Sequence, residues 1–485
     1  MTSSTDPSTP PAAGVALTQG AAYRAVWRWH FYAGLIVAPF AIFLAVTGAI
    51  YLWRPQYEAW RYRDLLRTPS VGTAAVPADG QLAAARTAAP PGWRAQSYQP
   101  AFAPGETAQV IFQPPGAGLH SPGLTVFVDP QTGRLLGRLH DEETLMAQVK
   151  KLHGTLFAGA FGEYVVELVA SGALVLFLTG FYLAWPRPKF TPWGFLLPRL
   201  RAEGRVFWRD LHAVPAVWCS AGTVFLLVTG LLWTQAAGSW YRKVSAVLGQ
   251  GSPRESFAGA HRSALTGWSP PLRAGLAERI DRLASAPPAT DEHASHGPGM
   301  HPVAPAPEGP FVGALSLDRA MALAEERAVP RPFVVGLPVG PEGVFSAISD
   351  SRQPFRRVFL HLDQYSGRVL AEVTFRDFGY LAQFFSWGIV AHEGRLFGLA
   401  NQVLGTLAAV GVILLGVTGL AMWWRRRPVG RLAIPDGGTP LPRPVLLGTF
   451  LLATLLPMLA ATLALFWLGD RLLPVQVSGR RMRTP

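Results

Sequence analysis

The chain has little charge and almost no cysteine. Charged residues fill 15% of its 485 positions, against 49% that are hydrophobic. A single cysteine, Cys219, excludes an intramolecular disulfide, and with it iron–sulfur clusters and cysteine-based zinc sites within one chain. It stands inside an apolar run and reads as a buried small hydrophobe. Nucleotide and hydrolase signatures are missing as well: no G-x-G-x-x-G follows a strand, and there is no P-loop, no H-E-x-x-H and no G-x-S-x-G. Any electrons the chain handles must therefore come from a separate donor. Acidic residues number 30 against 43 basic ones, a formal net charge of +13. That excess does not indicate nucleic acid, because the basic residues cluster beside the apolar runs, as the positive-inside rule expects.

What the chain does have is long apolar stretches, with a mean hydropathy of +0.23. Five spans are expected, with apolar parts at about 31–53, 163–185, 214–234, 400–424 and 445–468. Residues 1–21, rich in Ser, Thr, Pro and Ala, read as a disordered N-terminus, and the first apolar run is too long for a signal peptide. The segments are then 22–53 (span one), 54–150, 151–185 (span two), 186–211, 212–234 (span three), 235–390, 391–424 (span four), 425–444, 445–468 (span five) and 469–485. Arg24 and Arg28, the basic connection 186–211 and Arg425, Arg426 and Arg427 place the N-terminus and the short loops on the cytoplasmic side. The two long segments then lie outside. Arg480, Arg481 and Arg483 conflict with an outer C-terminus. Each long segment reads as a small α+β unit. TVFVDPQTGRLLGRL from Thr125 and VFLHLDQYSGRVLAEV from Val358 both give strand, turn, strand, and LSLDRAMALAEER from Leu315 gives an amphipathic helix.

An internal repeat organises these pieces. His30 precedes Thr47-Gly48 by 17 positions, and His212 precedes Thr229-Gly230 by 17. His153 precedes Thr179-Gly180 by 26 positions, and His392 precedes Thr418-Gly419 by 26. Spans one and two thus form a unit that spans three and four repeat. At about 1.5 Å per residue, His30 and His212 fall near the inner face and His153 and His392 at the outer border. Neutral imidazole is an axial ligand for haem iron, and two imidazoles from facing helices can sandwich a b-type haem. The pattern therefore predicts two bis-histidine haem b sites, one per face, in a four-helix core. Arg28 and Arg209 stand beside the inner histidines in sequence, and Lys150, Lys151 and Arg395 beside the outer ones; all are candidates to pair with haem propionates. The alternatives are that duplication copied a helix-capping or helix-packing histidine, and that the arginines only set topology. The Thr-Gly pairs read as helix packing. HASHGPGMH (293–301) reads as a solvated loop, and His120, His140, His261 and His361 as surface residues.

The segments WRWHFYAGLIVAPFAIFLAVTGAIYLW, KLHGTLFAG, WRDLHAVPAVW and AHEGRLFG, with the turns DPQTGR and DQYSGR, resemble the PepSY-associated transmembrane helix family over about residues 22–430. Members include iron-regulated inner-membrane proteins of the ferric-siderophore reductase type. The resemblance implies an α-helical integral membrane protein with PepSY-like periplasmic domains in the bacterial inner membrane. It implies that His30, His153, His212 and His392 ligate haem iron, and that a periplasmic ferric siderophore is the partner. The donor would be a separate cytoplasmic protein or a quinol. A fused flavin domain, present in some members, is lacking here, and the fifth span departs from the four-helix repeat. Two other functions stay open at this point: a non-enzymatic envelope module binding a protease or peptide, and an accessory to siderophore uptake.

Overall fold

The computed structural model describes residues 13–427 except 71, 73, 118–120, 188, 265–313 and 350–352, together with 447, 450, 453–454 and 456–472. The chain divides into two units: Met1–Ala49 with Phe161–Ser239 and Val403–Pro485, and Ile50–Ala160 with Trp240–Gln402. Its helices are α1 (Ala13–Leu52), α2 (Arg54–Arg61), α3 (Arg63–Leu66), α4 (Ala78–Arg86), α5 (Leu145–Thr155), α6 (Gly159–Ala184), α7 (Gly204–Leu231), α8 (Gln235–Val247), α9 (Leu317–Glu326), α10 (Tyr380–His392), α11 (Leu399–Arg426) and α12 (Pro457–Leu472). The strands are β1 (Arg94–Gln99), β2 (Ala108–Gln113), β3 (Leu124–Val128), β4 (Leu135–His140), β5 (Phe333–Gly336), β6 (Val344–Ser349), β7 (Val358–Asp363) and β8 (Val369–Thr374).

The first unit is a helical bundle. Among the described residues, four helices are long and apolar enough to cross a membrane: Ala22–Leu52, Gly159–Ala184, Gly204–Leu231 and Leu399–Arg426. Small residues set their spacing. A Cβ on Gly172 of α6 would meet Val37 Cγ2 of α1 at 2.6 Å, and one on Gly411 of α11 would meet Cys219 Sγ of α7 at 2.8 Å. Gly416 does the same against Ile42, at 2.6 Å. Pro39 and Pro215 lie inside α1 and α7; such breaks are tolerated in apolar bundles because neighbouring groups satisfy the freed carbonyls.

Three boundaries differ from the expected ones. Helix α1 starts at Ala13, inside the stretch expected to be disordered, since Ala13–Gln19 holds no helix breaker except Gly14. Spans two and four are not continuous from their histidines. Leu156 (φ 50°), Phe157 (φ 59°) and Gly159 (φ 54°) are left-handed and separate α5 from α6, while Gly394 (φ 72°) and Gly398 (φ 58°) separate α10 from α11. Of the expected fifth span, most of 445–456 lies outside the described residues. The remainder, α12, has 16 residues, a rise of about 24 Å.

The second unit holds an eight-stranded antiparallel sheet in the order β4-β3-β2-β1-β5-β6-β7-β8. The two long segments were expected as separate α+β domains; they share one sheet and one core. β1 meets β5 through two register pairs, Ser97↔Gly336 and Tyr98↔Val335. Helices α4 and α9 pack on this core, which includes Leu82, Tyr98, Phe112, Leu124, Leu317, Phe333 and Leu360. The helix starts cap each other. Asp318 accepts from the amides of Ala78 and Asp79 (2.7 and 3.2 Å), and Asp79 accepts from those of Leu317 and Asp318 (3.1 and 3.2 Å).

The two expected turns form alike. Asp129 accepts from the amides of Gln131 and Thr132, and Asp363 from those of Tyr365 and Ser366. Gly133 and Gly367 both have φ 69°, as the turn requires. Burial pushes the Asp129 carboxyl up, but bonds from Ser70, the Gln131 amide and Thr68 outweigh it and hold the group at about 2.

Candidate functional site

His30 lies well inside α1, and His212 lies eight residues into α7. The bundle brings the two rings together, with centres 6.3 Å apart and planes at 81°. Two imidazoles bound at about 2 Å on opposite sides of one metal ion would have centres roughly 6.4 Å apart, allowing about 1.2 Å from nitrogen to ring centre. The spacing and donor chemistry fit a bis-histidine haem. Among the described residues no cluster of three or more His, Cys, Asp or Glu could hold a metal ion; axial ligation of haem needs only two protein donors.

The Thr-Gly pairs of the partner helices contact these rings. Thr179 Oγ1 of α6 is 2.9 Å from His30 Nδ1, and Thr418 Oγ1 of α11 is 3.0 Å from His212 Nδ1. The glycine that follows each threonine faces the same ring. A Cβ on Gly180 would approach His30 Cε1 to 3.1 Å, and one on Gly419 would approach His212 Cε1 to 3.4 Å. The sequence reading assigned these pairs to helix packing alone. The missed signal was antiparallel order: the end of span two must lie alongside the start of span one, so a motif near the end of one helix serves a histidine near the start of another.

His153 lies in the last turn of α5, and His392 is the last residue of α10. Both are half-buried, both belong to the second unit, and both engage neighbouring groups. Each sits on the helix that ends just before a spanning helix begins.

Of the arginines expected beside the histidines, Arg28 is buried, with 4% of its surface exposed. Arg209 bonds Asp210 through Nε (3.1 Å) and Nη2 (2.8 Å). Arg199 bonds the same carboxylate through Nε (2.8 Å) and Nη2 (2.9 Å). Gly194 (φ 78°) passes close over this cluster; a Cβ there would meet Arg209 Nη2 at 2.5 Å and Arg199 Nη2 at 2.6 Å. Two guanidiniums on one carboxylate leave an excess positive charge. Arg395 contacts Glu393 at 3.3 Å, and Lys151 pairs with Glu142 at 2.6 Å.

His361 corrects another expectation. It is not a surface residue but wholly buried in β7. Its Nε2 faces the Ser256 carbonyl at 3.1 Å and its Nδ1 takes the Ser346 hydroxyl at 2.8 Å, so both nitrogens are used within the protein. Its ring centre lies 4.8 Å from that of His261. Glu167 of α6 is also wholly buried; its carboxylate accepts from the amides of Ala236 (3.0 Å) and Ala237 (2.9 Å) at the start of α8. HASHGPGMH and His120 lie outside the described residues.

No curated protein matches the chain. Residues 27–426 match the family described as PepSY-associated TM region, a stretch that takes in the sheet, three of the four spans whole and all but the start of the first. The chain is a multi-pass membrane protein of the PepSY-associated TM region family.

Proposed function

We propose that this protein is an inner-membrane di-haem protein that moves electrons across the membrane to a periplasmic ferric siderophore. The observation that supports the reading is the His30–His212 pair, whose ring centres lie 6.3 Å apart, a spacing compatible with two ligands of one metal. His30 and His212 would hold one haem b, and His153 and His392 a second, at the opposite face. Arg28, Arg209 and Arg395 are the candidates to neutralise propionates, Arg209 while still bonded to Asp210. Bound haem would supply a one-electron carrier, and the protein's part is to position and tune it.

The chain's own residues hold the two imidazoles side by side in an apolar bundle, whose glycines let α6 approach α1 and α11 approach α7. The substrate is the siderophore-bound iron(III), which takes up one electron; siderophores hold iron(II) far less well, so iron is released. The donor is a separate cytoplasmic protein or a quinol, because the sequence carries no nucleotide-binding motif. The N-terminus and the basic loop 186–211 lie on the cytoplasmic side in this reading.

The purified protein, reduced and mixed with a ferric hydroxamate or catecholate under argon, should lose its ferrous haem bands as iron(II) appears, trapped by a ferrous chelator. Haem bands that persist in the presence of ferric chelates would favour the accessory role in uptake. A protein without haem would leave the envelope-binding module.

A further inference from the structure

We propose that Thr179 and Thr418 are positioning residues that fix His30 and His212 as their Nδ1–H tautomers, leaving Nε2 as the metal-ligating nitrogen and strengthening it as a donor. This rests on the haem reading above.

The position of the proton follows from the threonine hydroxyls. Each has one proton to give. Thr179 Oγ1 lies 2.6 Å from the Val175 carbonyl oxygen, and Thr418 Oγ1 lies 2.7 Å from that of Leu414. At such distances the hydroxyl proton must lie between the two oxygens; otherwise two acceptors would face each other unbridged. The same back-bond occurs in Thr229, 2.7 Å from the Phe225 carbonyl, and in Thr47, 3.1 Å from that of Phe43. It is the shared behaviour of the four threonines. With its proton committed, the hydroxyl can only accept from the ring. Nδ1 of His30 (2.9 Å) and of His212 (3.0 Å) must then carry the hydrogen.

His361 is the contrast within the same chain. There a carbonyl faces Nε2, so Nε2 carries the hydrogen and Nδ1 accepts from Ser346. That ring has no nitrogen left for a metal. In His30 and His212 the assignment is reversed. A hydrogen bond donated by the non-ligating nitrogen raises imidazole basicity. This favours the ferric state and lowers the potential of the site. The adjoining glycine lies against the ring edge, more tightly at Gly180 than at Gly419.

The test combines redox titration with nitrogen NMR on the full-length protein. Valine keeps the threonine shape and removes the acceptor. Thr179→Val and Thr418→Val should each retain haem and shift the midpoint potential of one haem upward. The double variant should shift it about twice as far, with the other haem unmoved. Thr179→Ser and Thr418→Ser should behave as wild type. Independently, histidine-labelled protein made in haem-deficient cells should show Nδ1–H resonances for His30 and His212, shifted in the valine variants by loss of the hydroxyl acceptor while the Leu176 and Leu415 carbonyls beside the rings remain. Unmoved potentials in the double variant, or Nε2–H tautomers in the haem-free wild type, would overturn the proposal. If the wild type binds no haem, the haem reading fails on its own, and the NMR result still decides the tautomers.

Discussion

Thr179 and Gly180 both face His30, and Thr418 and Gly419 both face His212. The two glycines are not equal. The added Cβ meets the ring at 3.1 Å in one case and 3.4 Å in the other, the second being ordinary contact. Gly180→Ala should therefore displace its histidine and lower the haem retained through purification, whereas Gly419→Ala should be nearly silent. The Soret-to-protein absorbance ratio measures both, and equal losses would count against the assigned ring positions. A second residue-scale prediction concerns His361. Burial pushes its pKa down to about 4, partly offset by the Ser256 carbonyl and aided by His261. The unfolded chain takes up a proton near pH 6.5 that the folded one refuses. Stability is therefore full above pH 6.5 and lost as pH falls toward 4, by up to about 3 kcal/mol. Thermal unfolding of the sheet domain, followed in the full-length protein, should show this decline. His361→Gln should flatten it between those pH values.

The strongest new contact between elements is the mutual capping of α4 and α9. Asp79 and Asp318 each satisfy two amides at the other helix's start, so removing one carboxylate leaves two part-buried donors short. Asp79→Ala or Asp318→Ala should cost about 1–2 kcal/mol. The double variant should cost less than the sum, because each cap also orders the helix that carries the other. Denaturant unfolding of the three variants measures this; strict additivity would mean that the two caps act separately. Neither aspartate stood out in the sequence, because a cap exchanged between helices so far apart in the chain leaves no local pattern. The single sheet was hidden for the same reason. Strand-turn-strand periodicity announced β3–β4 and β7–β8, but the β1–β5 junction rests on two residue pairs, and nothing local encodes it. Spanning helices were legible, because apolar length is a local property. The break before α6 was not, because Leu156 and Phe157 are residues that ordinarily continue a helix; the break before α11 falls at Gly394 and Gly398, glycines that one continuous span passes over.

At the scale of the whole molecule, the four spans, the sheet and the family assignment agree on a multi-pass membrane protein whose chain alternates between a helical unit and a sheet unit. The four histidines divide between the units: His30 and His212 in one, His153 and His392 in the other. Equal His-to-Thr-Gly distances single out all four histidines in the sequence, and the structure brings His30 and His212 together. Spacing did not show that each threonine serves a histidine on a different helix, a relation fixed only when the helices pack. The central claim is that these histidines hold two haems. Its most direct measurement is haem per chain by the pyridine haemochrome method, in the wild type and in the His30→Ala/His212→Ala double variant. The account predicts two haems in the wild type and one in the variant. No haem in the wild type, or an unchanged count in the variant, would contradict it.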